Sequence, residues 1–115
     1  MSPEARAIAQ ALISHRREIG PKLNLDVSPD SFTITYGELC ERVGLPDLKL
    51  VVGKFLREVA EWCYGNGWPP LNALAVNHET RTPGRGYDRA PGCSLAGWRN
   101  ELAACLAFSG YPERV

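Results

Sequence analysis

Thr35-Tyr36-Gly37-Glu38-Leu39-Cys40-Glu41-Arg42-Val43-Gly44-Leu45-Pro46-Asp47-Leu48 is the stretch on which the fold turns. Thr35 and Glu38 form a T-x-x-E capping box, in which a hydroxyl and a carboxylate satisfy the free amides of a helix start. A helix therefore begins at Tyr36, carries Leu39, Cys40 and Val43 inward, and stops at Gly44, with Leu45-Pro46 as a tight connection. Asp47 then caps a second helix, Leu48 to Tyr64. Its apolar residues Leu48, Val51, Val52, Phe55, Leu56, Val59, Trp62 and Cys63 recur every three or four positions before Gly65 ends it. Two helices joined by Gly44-Leu45-Pro46-Asp47 make a helix-turn-helix pattern, and residues 35–64 form the expected core of the domain.

Upstream, Ser2-Pro3-Glu4 reads as a helix start: a capping serine, a proline suited to the first position, and an acid at the positive end. That helix, residues 3–18, places Ala5, Ile8, Leu12 and Ile19 on one face and ends at Gly20-Pro21. Lys22 to Ser31 reads as a loop or a short extended piece, and Phe32-Thr33-Ile34 as a brief strand. Downstream, Leu71 to Val76 has strand length and apolar character, and Asn77 to Pro91 is turn-rich, so residues 71–93 are strand and loop. Ser94 caps a last helix, residues 94–109, with Leu95, Trp98, Leu102, Cys105 and Leu106 on one face and Gly110 at its end. The expected architecture is one domain over residues 1–115, mostly α with a small β element, helix-turn-helix or winged-helix-like.

A chain of 115 residues is long enough to bury one core without disulfides or a metal. Its formal net charge of zero argues against strong non-specific attraction to phosphates. The stretch His78 to Arg99 is nevertheless locally basic, with Arg81, Arg85, Arg89 and Arg99 against Glu79 and Asp88. The N-terminus does not resemble a signal peptide and no apolar run approaches the length of a membrane helix, so a cytoplasmic protein without membrane contact is expected. Cys40, Cys63, Cys93 and Cys105 are spaced too widely for a metal knuckle, which points to reduced thiols. Cys40, Cys63 and Cys105 fall in helical apolar patterns and read as small core residues, whereas Cys93, between Gly92 and Ser94, reads as the exposed one.

The run Ile34-Thr35-Tyr36-Gly37-Glu38-Leu39-Cys40, then Gly44, then Val52-Gly53, resembles the T-Y-G-E-I/L-A, G, V-G pattern in the C-terminal domain of the O6-alkylguanine-DNA alkyltransferases and alkyltransferase-like proteins. Ala75-Val76 followed by Gly84-Arg85-Gly86-Tyr87 is similar to that family's V-V and G-G-Y stretch, and the likeness spans roughly residues 32 to 106. The resemblance implies a DNA-binding scaffold with a substrate pocket. The family's nucleophile lies in a P-C-H-R-V segment, where this chain has Pro70-Leu71-Asn72-Ala73-Leu74-Ala75-Val76. Alkyl transfer to sulfur needs a thiolate, which none of these residues supplies, so repair chemistry is not expected. Where the family holds opened DNA with an arginine before V-G, this chain has Leu50 or Val51, which removes that means of base flipping.

Asn77-His78-Glu79 with Arg81, Arg85 and Tyr87 is the densest polar cluster, with the residue types of a general base and an oxyanion clamp. One histidine beside one acid in a turn also reads as a solvated loop, and a metal would need further ligands from His15 or a distant acid. Gly84-Arg85-Gly86 is too short for a phosphate-binding loop. Trp62 lies on the apolar helical stripe and reads as core, while Trp68, between Gly67 and two prolines, reads as a surface aromatic.

Two functions are carried forward, neither catalytic and neither with a cofactor. In the first, a nucleic-acid module binds duplex DNA through Lys49, Lys54 and Arg57 of the second helix, with Asn77, His78, Arg81, Arg85, Tyr87 and Arg89 in the loop and Trp68 beside it. In the second, the same scaffold docks on a protein, as a small immunity or anti-defence factor of a mobile element would. Neutral charge and compactness suit this, and the site is then held by one or two anchors such as Trp68 or Tyr87.

Overall fold

A computed structural model describes residues 1–19 and 29–115 of the chain. Four α-helices, α1 (Pro3–Ile19), α2 (Tyr36–Arg42), α3 (Val52–Gly65) and α4 (Trp98–Ala107), pack with two short strands, β1 (Ile34–Thr35) and β2 (Ala75–Val76). The strands pair in parallel, Ile34 opposite Ala75 and Thr35 opposite Val76. The expected end of α1 at Gly20-Pro21, and residues 22–28 of the loop expected after it, lie outside the described residues.

Half of the expected capping box forms: the Thr35 hydroxyl caps α2, while the Glu38 carboxylate meets that hydroxyl and not a backbone amide. Thr35 has extended backbone angles, φ −74° and ψ 157°, so it ends β1 and caps α2 with no intervening residue. Its hydroxyl accepts from the Glu38 amide at 3.2 Å and donates to Glu38 Oε1 at 2.9 Å. Ser2 likewise caps α1: its Oγ accepts from the Ala5 amide at 3.1 Å. Ala5, Ile8, Leu12 and Ile19 are buried as their spacing predicts. They meet Leu39 and Cys40 of α2, Phe55, Leu56, Val59 and Cys63 of α3, and Leu102, Cys105 and Leu106 of α4 in one continuous core.

Four expectations are corrected. The second long helix begins at Val52, not at Asp47–Leu48: Pro46–Leu50 form a 3-10 turn closed by Leu48 N–H to Leu45 and Val51 N–H to Leu48, and Asp47 caps nothing. Pro46, pre-set for a first turn, starts a tighter helix whose i to i+3 bonds shift the later residues off the α3 stripe. Val51 is consequently half-exposed at 49% and Leu50 stands out at 96%. Leu71–Leu74 form a 3-10 turn rather than strand, and Ala75–Val76 alone pair with β1. The Trp98 indole N–H donates to the Ala73 carbonyl at 2.9 Å, fixing that turn to α4. The first strand comprises Ile34–Thr35, with Phe32 in a 3-10 turn before it. Lastly, α4 starts at Trp98, and Ser94 caps the turn leading into it by accepting from the Gly97 amide at 3.0 Å, which leaves Leu95 exposed.

The two ends of the chain are stitched together. Arg16 near the end of α1 donates to the Cys105 carbonyl at 2.9 Å, to that of Leu106 at 3.3 Å and to that of Phe108, so one cation satisfies the open carbonyls at the end of α4. Gln10 exchanges hydrogen bonds with Glu113 and Val115 at 2.9 and 3.0 Å. No helix among the described residues is long and apolar enough to cross a membrane.

Candidate functional site

Where α2, the 46–50 turn, α3 and the 84–90 segment meet, they leave a cavity of about 210 Å³. Its apolar walls come from Leu50, Val52, Leu56 and Ala90. Gly53, Gly84 and Gly86 contribute bare backbone, and Tyr36, Asn72, Tyr87 and Arg57 complete the lining. A shallower second cavity of about 330 Å³ shares Tyr36 and Leu50 with the first and adds Gly37, Asn77, His78 and Glu79. Leu50 thus stands between the two.

Tyr36 ties the elements together. The Gly84 amide donates to its hydroxyl at 2.7 Å, across 48 residues of sequence, and burial raises its pKa, so the phenol keeps its proton. That proton is left to donate. Tyr87 differs: its hydroxyl donates to Glu101 Oε1 at 2.6 Å, and burial together with this carboxylate pushes its pKa upward. Glu101 also accepts from the Ser94 amide at 3.1 Å, so Tyr87 belongs to a structural knot that closes the loop onto α4.

Asn72 is buried, 4% exposed. Its Nδ2 donates to Cys93 Sγ at 3.6 Å, while its Oδ1 has no hydrogen-bond partner. The Cys93 thiol is half-buried and its pKa is raised by burial, against the lowering effect of the Asn72 contact. Cys93 is therefore a neutral thiol and less exposed than its loop position suggests. Cys63 and Cys105 are pushed up to about 11 and about 12 by burial.

The loop after β2 is held tightly. Asn77 N–H donates to the Thr82 carbonyl at 2.8 Å and Arg81 N–H to that of Asn77 at 2.9 Å, with Arg81 in the left-handed region at φ 55°. Asn77 Oδ1 accepts from the Glu79 amide at 2.9 Å, a local turn closure. Asn77, His78, Arg81, Arg85 and Arg89 are exposed. Among the described residues, Arg81, Arg85 and Arg89 have no ion pair, whereas Arg99 pairs with Asp30 at 3.1 Å and Arg57 with Glu61 at 3.4 Å. On α3, Lys54 is exposed, its amine 5.9 Å from the Phe55 ring. Lys49 lies within the 46–50 turn.

Trp68 lies apart from these cavities. It stacks edge-on with Trp62 at 5.0 Å and with Tyr111 at 5.9 Å, and the Tyr111 hydroxyl donates to the Pro69 carbonyl at 2.5 Å. It packs the 66–70 loop onto the C-terminal segment. The structure therefore brings Arg57, Tyr87 and the backbone flanking Arg85 to one cavity, and Asn77 and His78 to its neighbour. Sequence reasoning missed Tyr36, Leu50 and Asn72 as site residues. Pro46 was the available signal for Leu50, since a 3-10 start displaces everything after it; Asn72, a polar residue inside the apolar run 71–76, was the signal for itself. No group of three His, Cys, Asp or Glu among the described residues is placed to hold a metal ion. No protein-family model, curated protein or solved structure matches this chain.

Proposed function

We propose that this protein is a non-catalytic, cytoplasmic nucleic-acid-binding module on a helix-turn-helix scaffold of the alkyltransferase-like kind, and that it engages duplex DNA with the face bearing Leu50 and the 81–89 arginines. The carrying observation is the placement of Leu50. A leucine 96% exposed between two cavities serves no packing purpose, and Arg85 and Arg89, without an ion pair among the described residues, lie in the segment that walls one of them. Proteins that open or bend a duplex insert such apolar wedges between base steps while arginines hold the phosphates. Leu50 or Val51 stands where the resembled family carries its arginine. A wedge separates bases by shape where the arginine does so by charge. The neutral Cys93 thiol and the Leu71-Asn72 pair in place of a nucleophile support binding without transfer. Buried cysteines outside any disulfide, Cys40, Cys63 and Cys105, suit a reducing compartment.

The test is fluorescence anisotropy on a random-sequence duplex at low and moderate salt. Binding should weaken with salt, and Arg85→Ala or Arg89→Ala should each lower the slope of log affinity against log salt by about one. Leu50→Ala should weaken binding and leave the slope unchanged. A duplex that does not bind at low salt refutes the proposal. Exposure of Leu45, Leu50 and Val51 together also favours a second reading, a protein partner. In that case affinity is lost at one or two of these apolar anchors, with little dependence on salt.

A further inference from the structure

Asn66-Gly67 is the one asparagine–glycine pair in the sequence. A glycine after an asparagine leaves its backbone nitrogen unshielded by any side chain, so that nitrogen can attack the asparagine Cγ once its own hydrogen bond is given up. The fold puts this pair at the end of α3. Asn66 caps the helix with φ −97° and ψ 0°, and Gly67 takes the left-handed conformation at φ 72°. The Gly67 N–H donates to the Tyr64 carbonyl at 3.1 Å and the Trp68 N–H to that of Cys63 at 2.9 Å, the paired bonds of a Schellman cap. Asn66 Nδ2 donates to the Trp62 carbonyl at 2.8 Å. Both reacting groups are therefore spent in the cap, although both residues are exposed to water. Trp68 closes the cap and is itself held from outside. Its ring meets Trp62 at 5.0 Å and Tyr111 at 5.9 Å, and the Tyr111 hydroxyl donates to the neighbouring Pro69 carbonyl.

We propose that Asn66 is a site of spontaneous, one-way self-modification, and that the Trp68 stack is the latch that holds it back. When the cap opens, the Gly67 nitrogen gives up its proton and bonds to Asn66 Cγ. The bond from Cγ to Nδ2 breaks, and ammonia leaves carrying that proton, which closes a succinimide ring. Water then opens the ring at either carbonyl, giving aspartate or isoaspartate, the latter with the main chain running through Cγ. Water is the only co-reactant. Neither product rebuilds the cap. A carboxylate has no N–H for the Trp62 carbonyl and sets a negative charge against the negative end of α3. Isoaspartate also adds an atom to the main chain before Gly67, so the Gly67 and Trp68 N–H groups no longer meet their carbonyls in register. The reaction leaves the end of α3 and the 66–70 loop loosened, and it is independent of the DNA-binding reading.

The test follows the full chain at neutral pH by mass spectrometry, with peptide mapping to place the conversion of amide to acid at Asn66. In the folded protein the conversion should run about a hundredfold slower than in urea that unfolds the chain, the combined effect of the capping bonds and the stacked rings. Trp68→Ala should convert about tenfold faster than the unaltered folded protein, the share of the aromatic stack. If Trp68→Ala does not fold, Tyr111→Phe takes its place: it keeps the ring, loses the bond to Pro69, and should convert about fivefold faster. No acid at Asn66 in urea overturns the site. Equal rates in the folded and unfolded chain overturn the protection by the cap, and a folded latch variant that converts no faster overturns the role of Trp68. Asn66→Asp, which carries the product carboxylate on an unaltered main chain, should lower the denaturation midpoint. A midpoint unchanged or raised overturns the one-way step.

Discussion

The two faces of this protein treat their polar groups in opposite ways. On one, α1, the end of α4 and the C-terminal segment satisfy one another: Arg16 serves three carbonyls, Gln10 grips Glu113 and Val115, and Trp62, Trp68, Phe108 and Tyr111 stack in a row. On the other, around the 46–50 turn and the 81–89 loop, a leucine stands in solvent and, among the described residues, three arginines have no acid and an asparagine carbonyl has no donor. Both faces come from the same chain and share one core. The difference teaches where stability is kept and where it is forgone: local rules of satisfaction hold on the first face and are broken on the second.

The sharpest way to break this comparison is to cut both faces and compare the losses. Leu12→Ala, at a fully buried position on α1, should cost about 2–5 kcal/mol in urea denaturation, whereas Leu50→Ala should cost no more than about 0.5 kcal/mol. Equal losses would mean that Leu50 is part of the core and not a free wedge. Next in size, Arg16→Ala should cost about 1.5–3 kcal/mol, because it strands carbonyls at the end of α4 that a cation now holds. Arg85→Ala, an equally cationic change on the other face, should leave the midpoint where it is. Thr35→Ala should cost about 1 kcal/mol, the usual loss of a capping hydroxyl, read as a lower denaturation midpoint.

The smallest effect is a pH dependence on the satisfied face. Glu58 on α3 accepts from the Ser2 amide and the Ser2 hydroxyl, both at 2.9 Å, and these bonds lower its pKa from the ordinary 4.5. A lowered folded pKa means that the stabilisation is present above the ordinary value and is lost as pH falls through the folded one. Glu58→Gln should therefore lower thermal stability slightly at neutral pH, where the carboxylate accepts from Ser2, and flatten the decline below pH 4.5, where the two proteins converge. An acid limb identical in the two proteins would show that this contact does not hold α1 to α3.

Much of the helical frame was legible because its signals are local. Ser2-Pro3-Glu4 and the box Thr35/Glu38 specify helix starts within four residues, and the three-to-four spacing of Ile8 and Leu12, or of Phe55, Leu56, Val59 and Cys63, specifies the buried faces. Signals were misread where two local tendencies competed. At Pro46-Asp47 the aspartate resembles a cap, but the proline starts a 3-10 turn first; at Leu71–Leu74 an apolar run fits a strand or any buried segment, and spacing alone does not separate the two. The arginine-bearing loop was legible as basic. That Tyr87 faces inward while Arg85 and Arg89 face out was not, since the bond from Tyr87 to Glu101 joins residues from separate elements.

The sequence by itself determined four helices, most of their buried faces, the caps of α1 and α2 and the absence of a thiol where the resembled family has its nucleophile. Each depends on residues within a turn or two of one another, where backbone hydrogen bonding and side-chain period act directly. Only the tertiary structure decided that Tyr36, Leu50, Asn72 and Gly84 line one cavity, that Val51 leaves the α3 stripe for solvent beside Leu50, and that the Asn72 carbonyl is stranded. A cavity and an unsatisfied atom are properties of what packs from other elements, and spacing along the chain carries no record of them.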